Sequence, residues 1–338
     1  MSKLPTSRDV ARLAGVSQST VSFVINQSRP VSNEARERVM QAAQRLGYQP
    51  HSGARALKNR RSNLLAVVAP HRPGLDAASQ MRYIDAIARA CRRRDYDVML
   101  VTSDEGADGI IRVASTALCD AVLVMEVQSN EQRTEALSRI SIPAVMIGIP
   151  DEHEGVNCVD FDFEAAGASC ITLLANAGHQ TIALVAETNP TILAANYTRR
   201  FARGVERVVQ ELSLRRVDIP AEGGAYGSHQ AVQEAMRLGV SGLIASPPYP
   251  LSDLLQAMVA NGLQPGVDSS AVSFTEKADI DPSPVAPTYF SQNRDEAASQ
   301  IVDLALAAVA DRKAVGSGTV HLVPPTFVAG NSVITPAS

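Results

Sequence analysis

Gln18, Ser19, Thr20 and Ser22 place four hydrogen-bonding side chains in one five-residue window. They open a segment, Gln18 to Asn26, in which Val21, Val24 and Ile25 recur at helical spacing. That spacing buries the three aliphatics and leaves Gln18, Ser19, Ser22 and Phe23 outside, with Thr20 at the margin. Small donors and acceptors near the start of an exposed helix suit the base edges of the DNA major groove. No comparable set points to catalysis. The chain lacks G-x-S-x-G, a phosphate loop, H-E-x-x-H and G-x-G-x-x-G, and its six histidines are scattered without a Cys or carboxylate at ligand spacing. Gly223 to Gly227 is glycine-rich, misses phosphate-loop spacing and reads as a loop. No enzyme activity, metal or cofactor is expected.

The polar helix needs a frame. Thr6 with Asp9 three residues on reads as a capping-box start, with Val10, Leu13 and Ala14 as the inner face of the first helix and Gly15 as its end. Ser17 is the N-cap of the second helix. After the loop Arg29 to Ser32, Ser32 caps a third helix with Ala35, Val39, Ala42, Ala43 and Leu46 inside and Gly47 at its end. Helix, short turn with Gly, helix is the helix-turn-helix pattern.

Charge separates this head from the body. Residues 1–61 hold eleven Lys and Arg against three acids, a net +8, which leaves −12 for the rest of a chain whose total is −4. A basic head on an acidic body is the electrostatic footprint of nucleic-acid binding. Aromatics are only 4% and Trp is absent, so the core must be aliphatic. No apolar run reaches the roughly 18 residues of a membrane span. There is no apolar leader segment, and Cys91, Cys119, Cys158 and Cys170 have no finger or CxxC spacing. These features predict reduced core thiols in a cytoplasmic protein.

The run DVARLAGVSQSTVSFVINQ, continued by VSNEARERVMQAAQRLGYQPHSGARALK, resembles the lactose-repressor (LacI) family of bacterial transcription regulators, almost without a break from Asp9 to Lys58. The resemblance implies that Gln18, Ser19, Thr20 and Ser22 reach base edges or nearby phosphates, and that Thr6, Asn26, Ser32 and Tyr48 position the backbone of double-stranded operator DNA. Phe23 departs from the pattern, since many members carry Arg there. A Phe offers only apolar contact, as with a thymine methyl, and forgoes discrimination of about 1–3 kcal/mol. His51 to Lys58 looks like the hinge helix, with Ala54, Arg55 and Leu57 matching and His51 where Asn is usual. In the family that segment folds only on DNA, within a dimer. Leu57 would be the wedge entering the minor groove, and Lys58 follows it as in members that read a central CG step.

Beyond Asn63 the pattern alternates. Apolar strand runs (Leu64 to Ala69, Asp97 to Thr102, Asp120 to Met125, Ala144 to Ile149) are separated by helical segments, including Glu131 to Ile140. Val159 to Gly167 leads into a helix ending at Ala177. A second series follows: strand Thr181 to Ala186, helix Arg199 to Leu212, a strand near Arg216 to Ile219 and helix Gln230 to Leu238. It continues with strand Gly242 to Ala245, helix Ser252 to Asn261, strand Ser270 to Phe274, helix Arg294 to Ala310 and strand Thr319 to Leu322. This is the signature of parallel sheets covered by helices. Two such halves resemble the periplasmic-binding-protein-like effector domain of the same family. The expected architecture is an all-α helix-turn-helix head over residues 1–48, a hinge helix and linker over 49–62, and a two-subdomain α/β effector and dimerisation domain over 63–338.

By that resemblance a small-molecule effector, a sugar or other polar metabolite, binds between the halves. Its candidate contacts are Arg72, Glu126, Phe161, Asn196, Arg200, Tyr226 and Thr275. Several family anchors are replaced: His71-Arg72-Pro73-Gly74 follows the first strand, Ser246-Pro247-Pro248 the Gly242 strand, and Ser273-Phe274-Thr275 stands where an Asp usually holds sugar hydroxyls. Phe201, rather than the usual Arg, lies three residues before Gly204, with Arg200 one further back, and Gly330 stands where Arg is common. A carboxylate accepts two hydrogen bonds from vicinal hydroxyls and Thr275 cannot, which counts against a simple neutral sugar. A free periplasmic binding protein is the rival reading of the body, and the head argues against it. No Leu-rich heptad tail follows Ser332, so a homodimer is expected rather than a coiled-coil tetramer. The combined reading is a repressor that binds a palindromic operator and responds to an effector.

Overall fold

The computed structural model describes residues 5–26, 29–48, 61–71, 76–116, 118–280, 282–311 and 318–334. The expected hinge residues Ala54, Arg55, Leu57 and Lys58, and the cleft candidate Arg72, lie outside the described residues. The chain divides into two units, Met1–Asn63 and Leu64–Ser338.

The first unit is a three-helix bundle: α1 (Ser7–Ala14), α2 (Gln18–Asn26) and α3 (Asn33–Leu46). The Asp9 carboxylate accepts from both the backbone N–H and the hydroxyl of Thr6, at 2.9 and 2.7 Å. Gly15 and Gly47 end α1 and α3 in the left-handed region, at φ 64° and 61°. The Ser17 hydroxyl accepts from Thr20 N–H at 3.1 Å, and Ser32 from Ala35 N–H at 3.4 Å. Val10, Ala14, Val21, Val24, Val39 and Ala42 form the core. Leu13, expected inside, is exposed, and Ala11 fills the inner face instead.

The second unit has two lobes. The first contains the parallel strands β1 (Leu64–Val68), β2 (Asp97–Val101), β3 (Ala121–Val124), β4 (Ala144–Ile147) and β5 (Asn157–Phe161), joined by the late strand β11 (Val320–Val323) in the order β11-β5-β4-β3-β1-β2. Helices α4 (Ala77–Arg92), α5 (Gly106–Ser115) and α6 (Thr134–Arg139) connect them. The second lobe orders β6 (Thr181–Ala186), β7 (Arg215–Pro220), β8 (Gly242–Ala245), β9 (Ser270–Thr275), β10 (Tyr289–Ser291) and β12 (Thr326–Val328) as β12-β10-β9-β8-β6-β7, with β12 alone antiparallel. Helices α7 (Phe163–Asn176), α8 (Pro190–Leu193), α9 (Asn196–Leu212), α10 (Ala225–Arg237) and α11 (Leu251–Ala260) belong to it. Helix α12 (Arg294–Ala310) returns to pack on β3, β4 and β5. The chain therefore crosses between lobes three times, at Asp162, at Gln292-Asn293 and at Pro324-Pro325.

Some elements differ from expectation. Strand β5 precedes α7 as a separate element, and β10 and β12 are three-residue edge strands too short to carry a periodicity. Helix α6 begins at Thr134 rather than Glu131, because the Glu131 side chain is drawn to the Arg133 guanidinium and to Gln128 N–H. Gly223–Gly227 is not a loop throughout, since α10 starts at Ala225. A Cβ at Gly227 would lie 1.9 Å from the Glu222 carbonyl oxygen, so glycine allows this tight helix start.

Candidate nucleic-acid interface and ligand cleft

On α2, Gln18 and Ser19 are exposed and Thr20 and Ser22 half-buried. Ser17 organises this end: its hydroxyl lies 2.7 Å from that of Ser19 and 2.8 Å from that of Thr20. Gln18 Nε2 donates to Ser7 Oγ at 2.8 Å, which ties the start of α2 to α1. Phe23 is half-buried, and the Arg29 guanidinium lies over its ring at 5.2 Å. A cation on that ring face is attracted by the ring quadrupole. Tyr48 is half-buried against the bundle core, and Ser32 is exposed at the start of α3. Thr6 is held by Asp9, and Asn26 closes α2.

The second unit holds a cleft between its lobes, with a cavity of about 250 Å³ and a contiguous one of about 150 Å³. It opens at the C-terminal ends of β3, β5, β8 and β9, the expected ligand position for open α/β sheets. Its floor is aromatic. Phe161 stacks on Tyr83 at 5.7 Å and meets Phe163 and Phe274 edge-on at 6.0 and 6.1 Å. These rings join the inner cores of the two lobes into one apolar layer.

Glu126 lines both cavities, with φ at 55°, in the left-handed region that non-glycine residues rarely adopt. The buried Arg133 guanidinium donates to the Met125 and Glu126 carbonyls at 3.1 and 3.0 Å, and Glu131 holds it at 2.6 Å. Burial opposes the Glu131 charge, but Arg133 outweighs it and holds the carboxyl below its usual range. Gln80 Nε2 donates to Glu126 Oε1 at 2.8 Å.

Asn196, at the start of α9, lines the smaller cavity and is buried. Its Nδ2 donates to the Ile149 carbonyl at 2.6 Å, and its Oδ1 is buried with no partner. Four residues on, Arg200 donates to Asp160 at 2.5 Å and to the Phe161 carbonyl at 3.2 Å. Arg200 thus stands behind the wall and holds Asp160, which lines the cleft; it does not itself line either cavity. Burial pushes the Asp160 carboxyl up to about 6, against the pull of Arg200. Helix α9 is fixed by glycines: a Cβ on Gly204 would lie 1.9 Å from the Glu164 carbonyl oxygen, and one on Gly167 2.2 Å from that of Phe201.

Thr275 lines the larger cavity as expected. Tyr226 does not: it sits in the first turn of α10, 76% exposed, and accepts from Gln230 Nε2 at 2.9 Å. The early start of α10 turns it to solvent. At the cleft mouth, Asp279 of the second lobe binds both Arg82 and Arg294 of the first, and Arg294 also donates to Ser79 Oγ at 3.0 Å. Sequence reading missed this network, and also missed Tyr83 and Arg133. Only the helical spacing of Ser79, Arg82 and Tyr83 in α4 hinted that they share one side. Gly330 has a physical reason: a Cβ there would lie 2.2 Å from the Pro287 carbonyl oxygen, so no arginine fits. Among the described residues, no helix is long and apolar enough to cross a membrane.

Residues 6–51 match the model of bacterial regulatory proteins, lacI family, and residues 171–333 match the periplasmic binding protein-like domain. The chain is 30% identical over 266 residues to catabolite control protein A of Streptococcus mutans, covering 76% of each chain. Among solved structures, it is similar to the Lac repressor dimer bound to operator and the anti-inducer ONPF, with TM-score 0.79 at 22% identity, covering 98% of this chain and 100% of that one. It is also similar to the transcriptional regulator CelR in complex with cellobiose, with TM-score 0.67 at 20% identity, covering 97% and 99%.

Proposed function

The chain belongs to the lacI family of bacterial regulatory proteins, and from that premise we propose that it is a cytoplasmic repressor. In this reading it binds a palindromic operator as a homodimer and is tuned by a small molecule held between its lobes. The observation that carries the reading is the exposed start of α2, where Gln18, Ser19 and Thr20 are organised by Ser17 on a head of net +8. Such an array supplies base-edge donors and acceptors together with attraction for phosphates. Gln18, Ser19, Thr20, Ser22 and Phe23 then read bases, while Thr6, Asn26, Ser32 and Tyr48 set the register on the backbone. Ala54, Arg55, Leu57 and Lys58 form the hinge, with Leu57 as the minor-groove wedge. The domain limits we adopt are 1–48, 49–62 and 63–338.

The small molecule contacts Glu126, Phe161, Asn196 and Thr275, with Arg72 beside them and Arg200 acting through Asp160. It binds one closure state of the lobes better than the other, and that difference in affinity biases operator binding. The relatives support the operator and the dimer, since the Lac repressor structure is a dimer bound to operator. The test is in vitro selection of binding sites by the full-length protein, with sedimentation of the complex. The expected result is a two-fold symmetric motif bound by two copies. A monomeric complex, or enrichment of no sequence, would overturn the reading.

A further inference from the structure

We infer that Ser17 is a specificity-determining residue for operator reading: its hydroxyl obliges Ser19 and Thr20 to face the DNA with opposite hydrogen-bonding character, one as donor and the other as acceptor. The inference rests on the reading of α2 as the base-reading helix, and adds to it a residue and a rule.

A hydroxyl has one proton to give and two lone pairs to receive. Ser17 Oγ has three partners: Thr20 N–H at 3.1 Å, Ser19 Oγ at 2.7 Å and Thr20 Oγ1 at 2.8 Å. The backbone N–H can only donate, so it takes one lone pair. One lone pair and one proton remain for the two hydroxyls. Ser17 therefore accepts from one of them and donates to the other. The hydroxyl that gives its proton to Ser17 turns only lone pairs outward. The one that accepts from Ser17 keeps its proton for the outside. Both arrangements satisfy all three partners, and each is the inverse of the other.

Ser17 and Ser19 are exposed and Thr20 is half-buried, so water can break the chain in the free protein. Docking on DNA displaces that water, and a broken chain then leaves a donor or acceptor unmet.

The DNA chooses between the two arrangements. Cytosine N4 and adenine N6 are donors, and thymine O4 and guanine O6 are acceptors at the same ring positions. An acceptor against Thr20, a keto oxygen or a phosphate oxygen, draws its proton outward. Ser17 then donates to Thr20, Ser19 donates to Ser17, and Ser19 needs an amino base. An amino base against Thr20 reverses the chain, and Ser19 needs a keto base. The base preferred under Ser19 is thus set by a group that Ser19 does not touch. A serine without such a chain accepts either kind.

Binding-site selection with the full-length protein, repeated with Ser19→Ala, marks the base pair that Ser19 reads. Affinity is then compared for two duplexes that differ there by an amino-for-keto exchange. The duplexes carry 5-methylcytosine·guanine against thymine·adenine, or adenine·thymine against guanine·cytosine, according to the base selected. The wild type should prefer one by about tenfold or more, because the rejected base leaves a polar group unmet. Ser17→Gly removes the chain, and a helix start tolerates glycine. Thr20→Val keeps the shape and removes the far hydroxyl. Each should bring the ratio below about threefold, whereas Ser17→Thr, which keeps the hydroxyl, should preserve it. The measured quantity is a ratio, so a general loss of affinity does not mask the result. A ratio that survives both Ser17→Gly and Thr20→Val, a wild type indifferent to the exchange, or a Ser19→Ala protein that selects the wild-type motif would each overturn the inference. A protein that selects an operator but shows no such coupling loses only the polarity rule. One that selects no DNA loses the regulator reading itself.

Discussion

Arg200, on a helix of the second lobe, donates to Asp160, on a strand of the first, at 2.5 Å, and both side chains are only 10% exposed. This buried ion pair crosses between the lobes at the back of the cleft. Removing one partner strands the other, which typically costs about 3–5 kcal/mol. Arg200→Ala should therefore lower the unfolding free energy of the body by an amount in that range. A loss below ~1 kcal/mol in urea titration would mean that the pair contributes little.

Asp160 also sets a pH dependence. Its carboxyl sits near 6 when folded, against 3.8 for the ordinary group, so the folded state holds the extra proton between those values. Stability from this group therefore falls as pH rises from about 4 to 6 and levels off above. The stability of the wild type minus that of Asp160→Asn should show this decline. A difference that rises over the same range would show that Arg200 outweighs burial.

His179 acts in the opposite sense. Its ring is buried between Ser241 Oγ at 3.0 Å and Ser270 Oγ at 2.7 Å, and burial lowers its affinity for a proton. Below the ordinary value of 6.5 the unfolded chain takes up a proton that the folded one resists. Stability should be lost as pH falls below 6.5, and His179→Asn should flatten that limb of the thermal-unfolding profile.

Local chemistry made the head legible. Ser17, Ser32, Gly15 and Gly47 each mark a helix end whose backbone groups need that residue type, and α2 and the Ser32 cap fall where those residues place them. The apolar runs of β1, β6 and β8 were legible for the same reason, since strands buried on both faces read as continuous hydrophobic stretches. The cleft was only half legible. Glu126, Phe161, Asn196 and Thr275 fall at strand or helix ends that periodicity can locate. Asp279 and Arg82 are 197 residues apart, and no local pattern reports such a meeting. Tyr226 falls outside the cleft because Gly227 permits a helix start against Glu222, where a glycine-rich stretch predicts a loop.

Gly204→Ala should damage the site without touching it. The added Cβ would lie 1.9 Å from the Glu164 carbonyl oxygen, which is backbone and cannot step aside. Helix α9 must then move away from α7, carrying Asn196 and Arg200 with it. Overpacking of this kind costs about 1–3 kcal/mol, and the damage here should reach or exceed that range. Ligand affinity should fall with stability, and a variant that keeps wild-type affinity would show that α9 does not position the site.

Asp279→Asn tests the mouth of the cleft. The change leaves Arg82 and Arg294 facing one another with their shared carboxylate gone. Each charged hydrogen bond lost is worth about 1.5–3 kcal/mol, less at the partly exposed Arg82. The lobes should separate more readily, seen as a larger radius of gyration in small-angle scattering at low salt. An unchanged radius together with unchanged ligand affinity would show that this network does not govern closure.

Phe23→Arg probes the DNA-reading face. Phe23 offers a base edge no hydrogen bond, and its ring is covered on one side by the Arg29 guanidinium at 5.2 Å. The substitution replaces an apolar contact with a fork that can bind guanine O6 and N7, a pairing worth about 1–3 kcal/mol of discrimination. It also removes the ring that holds Arg29, freeing that side chain toward phosphates. Both effects add positive charge at the interface, so the salt dependence of binding should steepen by about one phosphate contact for each cation engaged. Site selection with the variant should change base preference at one symmetric position of each half-site and leave the rest of the motif intact. If the motif is unchanged while the salt slope steepens, residue 23 lies over the backbone and not over a base.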